Sequence, residues 1–226
     1  SDLDGITHVL STIPPTTEGH DPVLTHLGSQ LKERSLTWVG YLSTTGVYGD
    51  QQGRWVSEDD PANPGQPRSQ RRHACEQAWL DSGLPVQILR LPGIYGPGRS
   101  VLDSLRAGTA RRILKADQVF CRIHVDDIAG ACLHLMHQAA AGPGPAIVNV
   151  SDDCPAAPQD LLKYGADLLS CELPNEELFE LASRSMSAMA RSFWSENRRV
   201  RNTLLCQQFG YVLLHPDFKA GLQDCL

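Results

Sequence analysis

An α/β fold with a doubly wound, parallel sheet is predicted by three apolar runs that alternate with helix-like segments across short turns. The runs cover residues 6–13, 36–42 and 85–91. Near-continuous apolar runs of this kind are typical of strands that are buried on both faces of a parallel sheet. A chain of 226 residues is long enough for one such domain and a small second lobe.

The first strand and the first helix are delimited by local signals. Pro14 and Pro15 end the strand, because proline cannot continue a central ladder of hydrogen bonds. Asp21 and Pro22 then predict a helix start, with the acid as the N-cap and the proline at the first helical position.

A polar loop rich in glycine and proline follows the second strand and leads into a second predicted helix. The loop covers residues 50–67, and the helix covers residues 68–81 and is closed by Gly83. The residues expected on the buried side of this helix are Ala74, Ala78, Trp79 and Leu80.

The later chain predicts a smaller lobe and one strand that returns to the main sheet. Helices are predicted over 100–107, from Asp126 onward and over 158–169, and a buried strand over 146–150. The predicted sheet domain therefore comprises 1–99 with the return strand near 146–151, and the small lobe comprises 100–145 and 152–226.

Composition excludes several classes of function. The net charge is −6 and no basic block occurs, which argues against a nucleic-acid partner. No apolar segment approaches the length needed to span a membrane. The seven cysteines are scattered without a Cys-x-x-Cys pair, which is typical of reduced thiols. We therefore expect a cytoplasmic protein.

Three hydroxyl side chains, those of Ser43, Thr44 and Thr45, come directly after the second apolar run and precede Gly46. In open α/β sheets the ligand lies in the crevice outside the carboxyl ends of the strands. The sequence therefore predicts a ligand site at this end of the strand. The alternative is that Ser43 and Thr44 only cap a turn.

Three segments together resemble one family: residues 41–50, 89–99 and 122–129. They are similar to the core motifs of the extended short-chain dehydrogenases/reductases, the group of NAD-dependent epimerases and dehydratases. The segments 192–202 and 216–218 resemble its atypical, YeeZ-like branch. The resemblance implies a Rossmann domain that binds NAD or NADP, here a partial one over 1–99. It also implies a small lobe that binds a polar metabolite or nucleotide sugar.

The resemblance also assigns roles to individual residues. The strand-end hydroxyl that polarises the substrate falls on Thr44, with Ser43 beside it, and these are the candidate catalytic residues. The candidate cofactor-binding residues are Ser11, Thr12, Ile13, Ser43, Arg72, Pro92, Gly93 and Ile94. The candidate substrate-binding residues are Thr45, Tyr48, Arg68, Tyr95, Arg99 and His124.

The chain departs from the family at the general acid/base. Relatives use a tyrosine, a lysine four residues later and a glutamate four residues after that. Glu76 fits the glutamate, so the lysine position falls on Arg72 and the tyrosine position on Arg68. Arginine stays protonated and cannot relay a proton. We therefore expect a degenerate active site whose arginines, with Arg99, bind an anion.

A second departure concerns the glycine-rich turn that places pyrophosphate at a helix N-terminus. No such turn occurs in this chain. At about 30 residues per βαβ unit, we expect about 60 residues of the family's domain to lie upstream, which would make the first strand the fourth of the family. We therefore expect weak dinucleotide binding by these 226 residues.

Three functions remain open: an epimerase/dehydratase-like enzyme, a catalytically inactive nucleotide-binding or sensor protein, and a partner subunit, with a homodimer as one assembly. A tyrosine hydroxyl within reach of Thr44, from Tyr48 or Tyr95, favours the enzyme. No metal is expected, because His124, Asp126 and Asp127 have no second histidine at ligand spacing.

Overall fold

The structure is a computed structural model and describes residues 3–142 and 144–226; residues 1, 2 and 143 of the predicted ranges lie outside this part. Its strands are β1 (His8–Ser11), β2 (Trp38–Thr44), β3 (Trp55–Val56), β4 (Val86–Leu91), β5 (Gly93–Tyr95), β6 (Arg112–Leu114), β7 (Arg122–His124), β8 (Ile147–Asn149), β9 (Glu176–Leu178) and β10 (Arg199–Val200). Its α-helices are α1 (Pro22–Lys32), α2 (Pro67–Leu80), α3 (Val101–Arg106), α4 (Val125–Gln138), α5 (Pro158–Leu169), α6 (Phe179–Ala182), α7 (Ala188–Trp194) and α8 (Phe218–Gln223). None of these helices is long and apolar enough to cross a membrane.

The main sheet has four parallel strands in the spatial order β1-β2-β4-β8. Helices α1 and α2 cover one face, and α4 with a π-helical turn (Leu204–Gln208) covers the other. Three short parallel pairs, β3 with β10, β5 with β7 and β6 with β9, extend the chain beyond the carboxyl ends of the main strands. The predicted α/β fold with a parallel sheet is confirmed.

Side chains along β2 and β4 point alternately to the two faces of the sheet and pack into a core on each face. The face toward α1 and α2 buries Val39, Tyr41, Cys75, Trp79 and Ile88. The face toward α4 buries Leu89, Leu91, Ala131, Leu135 and Val148. Because both faces are apolar, the strands have the near-continuous apolar sequences from which they were predicted.

Helix α1 begins where the sequence predicts. The Asp21 carboxylate accepts from the Leu24 backbone N–H at 2.9 Å, which is the N-cap bond. Its second oxygen accepts from Nε1 of Trp79 at 2.9 Å. One buried acid therefore both starts α1 and attaches it to α2.

The buried side of α2 differs from the prediction. Trp79 is buried as expected, but Ala74 and Ala78 are exposed, and Cys75 and Glu76 take the inner positions. The apolar pattern was misleading because Glu76 is buried as a charge, opposite Arg90 of β4. A buried carboxylate is tolerated when such a partner neutralises it.

The small lobe is built around α3, α5 and α8, whose apolar side chains include Leu102, Leu161, Phe218 and Leu222. Helix α4 belongs to the core of the main sheet, although its residues fall in the predicted range 100–145. The proposed division into a sheet domain and a small lobe stays a prediction.

Candidate active site

The carboxyl end of β2 places two adjacent hydroxyls in different surroundings. Ser43 is buried, and its Oγ donates to Oε1 of Glu76 at 2.5 Å. Thr44 instead lies in the wall of a cavity of about 390 Å³. Successive side chains of a strand point to opposite faces, so only one of the two reaches the cavity.

The cavity lies outside the carboxyl ends of β2 and β4. The wall nearest the sheet consists of Thr44, Thr45, Gly46, Pro92, Gly93 and Ile94. The opposite wall includes Arg68, Phe120, Arg122, Phe193, Trp194 and Arg198. Candidate residues from three predicted groups, catalytic, cofactor-binding and substrate-binding, therefore meet at one crevice.

Gly46 permits the close approach of α2 to this crevice. A Cβ at Gly46 would lie 2.7 Å from Oγ of Ser69 and 3.3 Å from Oγ1 of Thr44. Thr44 Oγ1 accepts from the Gly46 backbone N–H at 3.1 Å, which caps the 3₁₀ turn Thr45–Tyr48. The hydroxyl proton of Thr44 makes no contact in the described part of the chain, so it is available to a ligand.

Arg68 presents an unpaired guanidinium to the cavity. Its Cζ lies 3.8 Å from the centroid of the Phe193 ring, a cation–π contact. Within the described residues Arg68 donates no hydrogen bond. Burial lowers the pKa of Arg68 and the nearby Glu196 opposes this effect, but a guanidinium stays charged at physiological pH.

The other two cavity arginines are held by the protein. Nη1 of Arg198 donates to Oε2 of Glu196 at 2.7 Å and to the Gly49 carbonyl at 2.8 Å. Nη1 of Arg122 donates to the carbonyls of Phe120 and Ala156. Three guanidinium groups and one carboxylate leave the cavity positive, which favours an anionic ligand.

Ser43 and Tyr48 belong to a buried polar network behind the cavity. Glu76 accepts from Nη2 of Arg90 at 2.7 Å and from Nε at 3.2 Å. The Tyr48 hydroxyl donates to Oδ1 of Asn149 at 2.8 Å, and its ring lies 4.7 Å below the Arg90 guanidinium. The structure therefore does not bring Ser43 or Tyr48 to the cavity wall.

Arg72 joins the ends of β1 and β2. Its Nη1 donates to the Tyr41 hydroxyl at 3.0 Å, to the Leu42 carbonyl at 3.1 Å and to the Ile13 carbonyl at 3.5 Å. Thr12 and Ile13 are exposed beside it, and Ser11 is buried. None of Ser11, Thr12, Ile13 and Arg72 lines the cavity.

One buried hydroxyl at this strand end is left unsatisfied. Ser11 Oγ is buried and has no hydrogen-bond partner among the described residues. A buried hydroxyl without a partner is costly and marks a place for an additional polar group. The described helices contain no glycine-rich N-terminal turn that would hold the pyrophosphate.

Tyr95, Arg99 and His124 occupy different positions around the cavity. The Tyr95 ring lines it, but the hydroxyl points away and donates to the Asp217 carbonyl at 3.4 Å. Arg99 lines a separate depression of about 270 Å³. His124 is buried behind Tyr95, with the two rings edge to face and their centroids 5.2 Å apart.

The enzyme hypothesis calls for a hydroxyl of Tyr48 or Tyr95 within reach of Thr44, and both hydroxyls are directed elsewhere. Burial raises the pKa of both Tyr48 and Tyr95, and both hydroxyls donate to groups outside the cavity. Neither is placed to exchange a proton with a ligand at Thr44.

Several cavity residues were not identified as site residues from the sequence: Ser69, Phe120, Arg122, Phe193 and Trp194. The family-like segment 192–202 was the available signal, but only its packing across α2 shows which side chains reach the cavity.

A parallel sheet with helices on both faces and a crevice outside its strand ends defines a Rossmann-like α/β protein. The model of the NAD dependent epimerase/dehydratase family matches residues 23–151, more than half of the 226 residues. The chain belongs to this family.

The relatives agree with this assignment. Protein YeeZ of Escherichia coli K12 is 29% identical over 181 residues, which are 78% of this chain and 58% of YeeZ. The chain thus spans less than two thirds of that relative. A functionally unknown conserved protein from Silicibacter pomeroyi is 44% identical, with a TM-score of 0.90 over 99% of this chain and 78% of that one.

A more distant solved structure shares the fold. The dTDP-glucose 4,6-dehydratase of Bacillus anthracis, in complex with NAD, is 17% identical, with a TM-score of 0.75 over 97% of this chain and 71% of that one.

Proposed function

We propose that this protein is an NAD(P)-binding member of the epimerase/dehydratase type whose cleft binds an anionic polar metabolite of the nucleotide-sugar class. In this proposal the tyrosine and lysine of the usual active site are replaced by Arg68 and Arg72. The observation that carries it is the unpaired Arg68 guanidinium in the wall of a 390 Å³ cavity beside the Thr44 hydroxyl.

Thr44 has the position and the free proton to bind a ligand oxygen. Its Oγ1 already accepts from Gly46, so its O–H group is oriented by the turn and can donate. Arg68 lies across the cavity and can form a bidentate pair with a phosphate or carboxylate. The aromatic rings of Phe193 and Trp194 offer flat apolar surfaces to a sugar or base.

The cofactor part of the proposal rests on the ends of β1 and β2. Ser11 supplies an unpartnered hydroxyl and Arg72 a cation, which suit the ribose and phosphate at the nicotinamide end. NAD or NADP, when bound, accepts or donates a hydride. The chain's own contribution is then to orient the ligand and to polarise it through Thr44.

The experiment is calorimetric titration with UDP-glucose and with UDP alone. We expect Arg68→Ala to weaken UDP-glucose binding by about 10- to 100-fold, the range for a lost charged hydrogen bond. Arg71→Ala on the same helix is the matched control and is expected to change little. Equal affinity in the wild type and Arg68→Ala would reject the proposed anion site.

A second candidate is a catalytically inactive nucleotide-binding or sensor protein. It is favoured by the two tyrosine hydroxyls that donate away from the cavity. Incubation with UDP-glucose and NAD⁺, followed by product analysis and by nicotinamide absorbance, separates the two functions. Turnover supports the enzyme, and binding without turnover supports the sensor. A homodimer and a cytoplasmic location stay predictions.

A further inference from the structure

A cluster of potential metal ligands lies behind the cleft wall. It consists of His124, Asp126, His215 and Asp224, and one ligand atom from each lies within 4.8 Å of all the others. These residues come from the start of α4, the loop before α8 and the end of α8. Only the folded chain brings these three segments together, and none of the four residues lines the 390 Å³ cavity.

The two histidines of the cluster are fixed in place. His124 and His215 are both buried, and their ring centroids are 3.9 Å apart with an interplanar angle of 40°. Nδ1 of His215 lies 3.1 Å from Oδ2 of Asp127. This contact leaves Nε2 directed at Asp224, whose Oδ2 is 3.4 Å away.

Asp127 orients His215 as an outer-shell carboxylate does in many metal sites. It is buried and accepts from the backbone N–H groups of Leu214 at 2.7 Å and His215 at 2.9 Å. It also accepts from the Tyr211 hydroxyl at 3.1 Å. Metal-bound histidines typically donate their second N–H to a carboxylate held in this way.

The remaining ligand pair lies on the other side of the cluster. Nδ1 of His124 lies 3.7 Å from Oδ2 of Asp126 and accepts from the Asp126 backbone N–H at 3.3 Å. A bound cation would replace this long hydrogen bond. The Asp126 and Asp224 side chains are each 56% exposed, so both carboxylates can move toward an ion while the imidazoles stay fixed.

We propose that His124, Asp126, His215 and Asp224 bind a divalent transition-metal ion, with Zn²⁺ the best match. Two imidazole nitrogens and two carboxylate oxygens form a four-coordinate donor set suited to this ion. Ligand atoms around tetrahedral zinc are about 3.3 Å apart, given bonds of about 2.0 Å. The ligand atoms, now up to 4.8 Å apart, would therefore draw together on binding.

The proposed ion has a structural consequence for the cleft. It joins the first turn of α4 to the segment that contains His215 and α8, and this segment packs against Tyr95 in the cavity wall. The metal would therefore hold the C-terminal segment against the cleft. The proposal does not depend on the ligand proposed for the cleft.

The test is a titration of the full chain after treatment with a chelator. Calorimetry with Zn²⁺ is expected to give one equivalent bound, and Co²⁺ is expected to give visible absorption bands of tetrahedral coordination. His215→Gln and Asp224→Asn should each weaken binding about tenfold or more, in line with the loss of a ligand. Asp224→Asn changes an exposed side chain, so it remains informative if His215→Gln unfolds.

Two exposed residues, one on α4 and one on α5, supply the controls. His137→Gln on α4 and Asp167→Asn on α5 remove a histidine and a carboxylate outside the cluster and should bind Zn²⁺ like the wild type. The proposal is overturned by the absence of stoichiometric binding or by unchanged affinity in Asp224→Asn. A near-ultraviolet thiolate-to-Co²⁺ band would also overturn the proposed donor set, because it would show a cysteine ligand; the Sγ of Cys225 lies 3.9 Å from Nε2 of His124.

Discussion

The buried network and the open cavity start from neighbouring residues of β2 and differ in how their polar groups are satisfied. In the network, Ser43, Glu76, Arg90, Tyr48 and Asn149 bond mainly to one another. Across the network, Ser43 and Arg90 are register partners, as are Arg90 and Asn149. The network therefore ties three strands and α2 together, and within the described residues Nη1 of Arg90 is its one buried side-chain atom without a hydrogen-bond partner.

The cavity contains hydrogen-bond donors that no described residue engages. Arg68 packs against the Phe193 ring, and within the described residues neither its guanidinium nor the Thr44 O–H group donates a hydrogen bond. Burial and mutual pairing stabilise a fold, whereas exposed and unpaired donors bind ligands. The contrast indicates that substitutions in the network should reduce stability and substitutions in the cavity should reduce binding.

The largest effect is expected from breaking the buried pair. Glu76→Gln leaves the Arg90 charge buried without its partner, which should reduce the free energy of unfolding by about 3–5 kcal/mol. Urea denaturation measures the loss. Gln77→Ala, at an exposed position of the same helix, is the control. A loss below about 1 kcal/mol would show that the pair does not hold α2 on the sheet.

Asp152 is a buried acid without such a pair and should make stability depend on pH. Burial raises its pKa from 3.8 to about 8, against the opposing effects of the Cys154 N–H and Arg122. The folded state therefore keeps a proton that the unfolded state loses above pH 4. The stabilisation is complete below pH 4 and is lost as the pH rises toward 8, by up to about 1.4 kcal/mol per pH unit.

Asp152→Asn should flatten this dependence between pH 4 and 8. Unfolding midpoints measured across the range, relative to the wild type, report the difference. Asp167 on α5, an exposed acid, supplies the control Asp167→Asn, which should keep the wild-type slope. Identical slopes in wild type and Asp152→Asn would mean that Asp152 is ionised in the folded protein.

The adjacent hydroxyls provide a direct comparison of the two regions. Ser43→Ala removes a buried hydrogen bond to Glu76 and should cost about 1–3 kcal/mol of stability, with UDP-glucose affinity unchanged. Thr44→Val removes the turn cap and should cost only about 1 kcal/mol but weaken UDP-glucose binding. Urea denaturation measures the stability of both variants, and calorimetry measures their affinity for UDP-glucose. If Ser43→Ala also loses binding, the two regions are not separate.

The smallest effect on stability is expected at the cavity arginine. Arg68→Ala removes a cation–π contact with a ring that is 53% exposed, so the loss should stay below about 1 kcal/mol. Arg68→Lys keeps the charge and should be closer to the wild type in binding. A thermal unfolding shift as large as that of Glu76→Gln would place Arg68 among the structural residues.

Features that depend on neighbouring residues in the chain were predictable. The start of α1 at Asp21 and Pro22 and the span Pro158–Leu169 of α5 agree with the sequence prediction. Capping and the position of proline act within one turn, so the sequence contains the whole signal.

Features that depend on distant partners were not predictable in the same way. Glu76 is buried on α2 because Arg90 neutralises it from β4. The sequence indicated no second histidine for His124, yet His215, 91 positions later, packs against its ring. Local spacing contains no information about such contacts.

The sequence by itself determined the α/β class and the strand-end position of the crevice, because both follow from the local periodicity of apolar residues. It also suggested the family, through the resemblance of three motifs. Only the tertiary structure decided that Thr44 faces the cavity while Ser43 faces Glu76, and that Phe193 and Arg198 close the opposite wall. The physical reason is that alternation along a strand places neighbouring side chains on opposite faces of the sheet, whereas the packing of distant segments decides which face borders a cavity.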